Sequence, residues 1–203
     1  MTLDELAKKH QTDKSSLAHG YCDIYERYFG HLRDAKVNVL EIGTQFNLSI
    51  KMWAEYFHQG EIFGVDIVPT LPLDNSHVHL FQGDASHSAF WNGFARGVTF
   101  DICIDDASHK EFDQMVAFHS LWPRVKPGGW YCIEDTWTWF DSFFNVPTVP
   151  HWLIPIISAI NRGGKQYHGK PVTLDDPKFD EMEQTVEFAH FFPGLLIIKK
   201  RHL

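Results

Sequence analysis

Positive charge is scarce in this sequence. Eighteen Lys and Arg stand against 26 Asp and Glu, a formal net charge of -8 over 203 residues. Nucleic-acid backbones are held by clustered Lys and Arg. The one basic run, Lys199-Lys200-Arg201, trails an apolar strand signal and reads as a solvated terminus, which argues against nucleic acid as the main partner. Cysteine is scarce too. Cys22, Cys103 and Cys132 form no Cys-x-x-Cys pair and are odd in number, which argues for buried, reduced thiols in a cytoplasmic protein rather than a disulfide framework. No apolar run is long enough to cross a bilayer. The longest, around Trp152 to Ile160, contains Pro155. The first ten residues are charged and helical in pattern, without the apolar stretch of a signal peptide. Repeats and low-complexity tracts are missing. What is present is 44% apolar residues, enough for one large core, so the chain is expected to form one domain spanning 1–203.

Inside that domain, strand and helix signals alternate. Leu3 to Lys9, with Thr2 as N-cap, and Ile24 to Phe29 read as two short helices that cannot bury themselves alone. They form an expected helical cap over residues 1–35. Strand signals follow at Val37–Ile42, Ile62–Ile67, Val78–Gln82, Phe100–Ile104 and Trp130–Ile133. Helical spacing intervenes at Leu48–Phe57 and Phe112–Trp122. Strands separated by helices imply a parallel α/β sheet with right-handed crossovers. The segment 136–171, rich in Trp, Phe and Pro, breaks the rhythm and reads as an insertion with one broken helix, a possible substrate lid. Two closing strands, Thr185–Phe191 and Leu195–Lys200, are joined by Phe192-Pro193-Gly194. Such a ribbon after five alternating strands resembles the Rossmann-like, seven-stranded class I methyltransferase fold.

Open α/β sheets bind ligands beyond the carboxyl ends of their strands. The first strand ends Leu40-Glu41-Ile42-Gly43-Thr44, the second at Asp66 and the third Gln82-Gly83-Asp84-Ala85. Gly43 permits a tight turn and close backbone approach. Glu41 can accept from an ammonium group, and Asp66 from ribose hydroxyls. Each acid alone is as well explained as a turn former or N-cap, whereas three polar tips in this order point to a nucleoside. Gly83-Asp84-Ala85 resembles the adenine-binding tip of class I methyltransferases, which favours S-adenosylmethionine (SAM) over a nicotinamide cofactor.

The fourth strand runs into Asp105-Asp106-Ala107-Ser108-His109, and the fifth into Glu134-Asp135-Thr136-Trp137. If these strands are neighbours, Asp106, Glu134 and Asp135 converge beyond the sheet edge. Clustered carboxylates repel unless a cation neutralises them, and oxygen ligands suit Mg²⁺, or Mn²⁺ or Ca²⁺, rather than zinc. His109 stands close enough to take a proton from a hydroxyl acidified by the ion. His10, His31, His58, His77, His79 and His202 read as surface or packing residues.

Asp106-Ala107-Ser108-His109 together with Ile133-Glu134-Asp135-Thr136-Trp137 resembles the mycinamicin-type, macrolide-sugar O-methyltransferases, which are Mg²⁺-dependent. The likeness extends over nearly the whole chain through Thr12-Asp13-Lys14, His19-Gly20-Tyr21, Tyr25-Glu26, Leu40-Glu41-Ile42-Gly43, Gly64-Val65-Asp66-Ile67 and Pro127-Gly128-Gly129-Trp130-Tyr131. It implies a metal on Asp106, Glu134 and Asp135, with His109 as general base. The expected cofactor set is Thr12, Lys14, Tyr21, Glu41, Gly43, Asp66, Gln82, Asp84, Ala85 and Asp105. The expected partner is a small hydroxylated, sugar-like acceptor, with no nucleic acid, no membrane and a homo-oligomeric state. Two alternatives stay open: an enzyme resembling the cephalosporin hydroxylases, which share this fold and its acidic metal site, and a non-catalytic partner subunit of the same fold.

Overall fold

The computed structural model describes residues 1–68, 72–144, 148–162 and 185–202. Helix α1 (Leu3–His10) begins in a capping box. Thr2 Oγ1 accepts from the Glu5 amide and the Glu5 carboxylate accepts from the Thr2 amide, which satisfies two of the amides a helix start leaves unpaired. Helix α2 (Tyr21–Phe29) starts after Gly20, whose left-handed backbone supplies the turn. It begins three residues before the Ile24 of the sequence reading. Then come β1 (Asn38–Ile42), α3 (Leu48–Tyr56), β2 (Glu61–Asp66), β3 (Val78–Gln82), α4 (Ser88–Gly93), β4 (Phe100–Asp105), α5 (Glu111–Leu121), β5 (Val125–Glu134), α6 (Leu153–Arg162), β6 (Val186–Phe192) and β7 (Leu195–Lys200).

The seven strands form one sheet in the order β3-β2-β1-β4-β5-β7-β6. The first five are parallel, and β7 inserts antiparallel between β5 and β6. This is the Rossmann-like class I methyltransferase sheet. The central strands are buried on both faces and read as continuous apolar runs for that reason. Their alternate residues divide between two cores. Leu40, Ile42, Cys103, Tyr131 and Ile133 pack with side chains of α4, α5 and α6, including Trp91, Phe118 and Leu153. Val39, Ile62, Ile102, Ile104 and Cys132 pack with those of α1, α2 and α3, including Leu6, Tyr25 and Trp53. The expected N-terminal helices therefore cover one face of the sheet. Cys22, Cys103 and Cys132 are buried and unpaired. Among the described residues no helix is long and apolar enough to cross a membrane.

Three elements depart from the sequence reading. The six-residue α4 is too short to show helical periodicity. Strand β5 extends back through Pro127-Gly128-Gly129, expected as a turn. Its pairing with β4 shifts register between Phe100 and Ile102, so the turn residues form an irregularity inside the strand. In the expected insertion, Thr136–Phe140 is a short 3₁₀ turn and α6 a regular helix. Pro155 occupies its first turn, where a missing amide proton costs no hydrogen bond. Residues 145–147 and 163–171 of that insertion lie outside the described residues.

Candidate active site at the strand tips

The chain leaves β3 at one edge and re-enters the sheet at β4, on the other side of β1. Such a reversal opens a crevice at the strand tips. A cleft of about 480 Å³ lies there, within the usual range for small-molecule sites. Its lining includes Ile42, Gly43, Asp66, Asp84, Ala85 and Asp105. Gly43 has φ 87°, and a Cβ at this position would overlap the Asp106 carbonyl. Only glycine satisfies both the left-handed backbone and the close approach of the β1 and β4 tips.

The loop after Gly43 has no further glycine, and Asp66 holds it instead. Its Oδ2 accepts from the amides of Thr44 at 2.9 Å and Gln45 at 2.7 Å, and its Oδ1 from that of Val68 at 2.9 Å. Asp84 accepts from the Ser86 hydroxyl and amide and pairs with His87. The Ser86 bonds hold its carboxyl below the usual range. Asp105 is buried beside the Tyr131 hydroxyl, and burial pushes its carboxyl up to about 7. Gln82 lies outside the cleft lining, where it donates to the Ile67 carbonyl. Ser108, Lys110 and Asp113 line the cleft, although the sequence reading passed over them. The clue was their place in and just after the turn that follows β4.

Beside the cleft, Asp106, His109 and Asp135 each offer a ligand atom within 4.8 Å of the others. His109 Nε2 stands 3.7 Å from Asp135 Oδ2. Glu134 lies beside this group, only 1% exposed. It accepts from the Tyr25 hydroxyl at 2.7 Å and from Lys14 Nζ at 2.8 Å. Lys14 also donates to Asp106 Oδ2 at 2.5 Å and stands 3.2 Å from Glu41 Oε1. Ser49 donates to the other Glu41 oxygen at 2.8 Å. Burial, opposed by the Lys14 charge, leaves the Glu41 carboxyl at about 7 and raises those of Asp106 and Glu134.

The structure thus places Lys14, expected toward the cofactor, among three carboxylates. Tyr21, expected likewise, donates to Asp135 Oδ1 at 2.8 Å. Glu41 is fully buried behind the tips, while Thr12 lines a neighbouring polar depression that also takes in Thr44 and Ser49. Oxygen donors around one imidazole fit a hard divalent cation. Phe144 packs edge-on to His109, with ring centroids 6.2 Å apart, and against Trp137 and Phe143. An aromatic surface therefore borders the imidazole.

No family model matches the chain. Among curated proteins, the 8-demethyl-8-(2-methoxy-alpha-L-rhamnosyl)-tetracenomycin-C 3'-O-methyltransferase of Streptomyces olivaceus is 43% identical over 148 residues, 67% of this chain and 37% of that protein. The 8-demethyl-8-alpha-L-rhamnosyl tetracenomycin-C 2'-O-methyltransferase of the same organism is 31% identical, covering 98% of this chain and 54% of its own length. Among solved structures, the MycE methyltransferase of the mycinamycin biosynthetic pathway, in complex with Mg and SAH, superposes with a TM-score of 0.87 at 28% identity. That match covers 99% of this chain and 55% of the solved one. The chain spans about half, or less, of the length of the relatives it matches. In fold and in sequence alike, it belongs to the macrolide-sugar O-methyltransferase family, on the class I methyltransferase sheet.

Proposed function

We propose that the protein is a Mg²⁺- and SAM-dependent O-methyltransferase acting on a sugar-like hydroxyl of a glycosylated natural product. The observation that carries this reading is the placement of His109 beside Asp106 and Asp135, next to a cleft sized for a nucleoside. The relatives' names support the acceptor class, since those proteins methylate rhamnosyl groups of tetracenomycins.

Bound SAM supplies the methyl group. A divalent ion supplies the positive charge that lowers a hydroxyl's pKa. The protein's own residues do the rest. Gly43, Asp66, Asp84, Ala85 and Asp105 line the cleft that would take the nucleoside. Thr12 lines the depression where an amino-acid tail would lie, and Glu41 stands behind it against Ser49 and Lys14. Asp106 and Asp135, with Glu134 beside them, would hold the ion. His109 takes the acceptor's proton at Nε2, the atom that faces Asp135. Asp135 stabilises the imidazole once it is protonated, and Tyr21 fixes Asp135 from the other side. Trp137 and Phe144 form the wall against which a ring packs.

Incubation with methyl-labelled SAM, Mg²⁺ and rhamnosylated or macrolide glycosides should transfer label to a sugar hydroxyl. Excess EDTA should stop the transfer. Full activity in EDTA, or no transfer to any glycoside despite tight binding of SAM, would refute the reading.

A further inference from the structure

Lys14 occupies an unusual place. It is 1% exposed, and lysine is almost never fully buried unless paired. Its three partners come from three adjacent strand tips: Glu41 on β1, Asp106 just past β4 and Glu134 at the end of β5. An ammonium group has three N–H donors, and three carboxylates surround this one. The backbone that delivers the side chain is fixed as well. The Lys14 carbonyl accepts from the Cys22 amide, and Ser16 is bound through its amide and hydroxyl to Asp4 of α1. The ammonium is therefore built into the fold.

We propose that Lys14 is the resident counter-cation of the carboxylate centre: its ammonium holds Asp106 and Glu134 together in the metal-free protein and, by its charge, weakens the grip on the divalent ion so that the ion stays exchangeable. The inference rests on the metal reading given above. Glu41, Asp106, Glu134 and Asp135 bring four acidic groups to one place. When a bound ion keeps all four ionised, the ammonium and the ion together leave a single unit of that charge unbalanced, whereas the ion without the ammonium leaves two. A dication beside an ammonium is repelled twice as strongly as a second monocation at the same distance. Three of the four carboxylates do not depend on Lys14 alone for their placement. Tyr25 holds Glu134, Tyr21 holds Asp135 and Ser49 holds Glu41. Removing the ammonium therefore costs the metal-free protein its charge balance and the tie between Asp106 and Glu134, while Glu134, Asp135 and Glu41 keep their other anchors for a divalent ion to draw together.

The test compares wild type with Lys14→Met, Lys14→Arg and the double variant Lys14→Met/Glu41→Gln. Each is melted in EDTA and in saturating Mg²⁺, and Mg²⁺ binding is titrated calorimetrically. Lys14→Met should melt at least 5 °C below wild type in EDTA, recover most of that loss in Mg²⁺ and bind Mg²⁺ at least tenfold more tightly. Lys14→Arg should stay near wild type in both respects. The double variant, which removes one charge of each sign, should return toward wild type in both. If Lys14→Met folds in Mg²⁺ but not in EDTA, that is the same result at its limit. Unchanged or weaker Mg²⁺ binding by Lys14→Met, or failure to fold even in Mg²⁺, overturns the proposal. If wild type itself binds no Mg²⁺, the metal reading fails first.

Discussion

The Thr138 hydroxyl lies 3.0 Å from the carbonyl oxygen of His109 and 2.7 Å from that of Asp135. Both residues adopt a left-handed backbone, with φ of 59° and 53°. Outside glycine that region is uncommon and belongs mainly to Asn, Asp and His. These two turns bring the imidazole and the carboxylate to 3.7 Å, and Thr138, fully buried, ties them together. Thr138→Val keeps the shape and deletes the donor. It should cost about 1–3 kcal/mol of stability in urea unfolding, and it should lower kcat more than it weakens SAM binding. Thr138→Ser should restore both. A kcat loss that tracks SAM affinity one for one would contradict the clamp.

His109→Ala separates chemistry from binding. A general base contributes roughly 10²–10⁴ in rate, so label transfer should fall by about that factor. Calorimetric binding of S-adenosylhomocysteine should change less than about threefold, because the imidazole stands beside the cleft rather than among its lining residues. Asp106→Asn should remove the Mg²⁺ dependence of any residual activity. If His109→Ala retains full turnover, the base lies elsewhere.

How much of this was legible in the sequence depends on the kind of signal. The strand tips were, because acids at the ends of apolar runs are conspicuous and parallel strands bring their tips together. The fold class was legible as well, because a two-strand ribbon after five alternating strands resembles the class I methyltransferase sheet; the order of the strands was not. The carboxylate partners of Lys14 were not legible, because nothing local to Thr12-Asp13-Lys14 tells which neighbours its side chain meets. Its partners are 27 to 120 residues away. Ser108, Lys110 and Asp113 were passed over because they lie in a turn and a helix start, where their bland role as caps is equally good. Gly43 was expected to approach a ligand, but its tightest neighbour is the protein's own Asp106 carbonyl.

Burial raises the Asp105 carboxyl to about 7 from a usual 3.8. A folded-state pKa above the unfolded value means that the native protein binds the proton more tightly. Its contribution to stability is full below about pH 4 and is lost as the pH rises through 7. The metal-free protein should therefore lose on the order of a few kcal/mol from this group across that window. Asp105→Asn should flatten that part of the profile, read from urea midpoints at closely spaced pH in EDTA. An identical slope in wild type and variant would exclude Asp105 as its source.

Asp66 provides the last test, because it bears on how a loop with one glycine can still form a cofactor site. Three amides, from Thr44, Gln45 and Val68, converge on its two oxygens. Asp66→Asn replaces one acceptor with an NH₂ group that must face an amide donor, and so leaves at least one amide unpaired. The loop after Gly43 should then lose its anchor. S-adenosylhomocysteine should bind roughly ten- to a hundredfold more weakly, a cost of about 1.4–2.8 kcal/mol. The midpoint of global unfolding should move little, since Asp66 lies at a strand tip outside both cores. Asp66→Glu keeps the charge but pushes the carboxylate one methylene too far, and should fare no better. If Asp66→Asn binds the ligand as wild type does, the glycine turn holds the loop unaided and the carboxylate serves only to cap it.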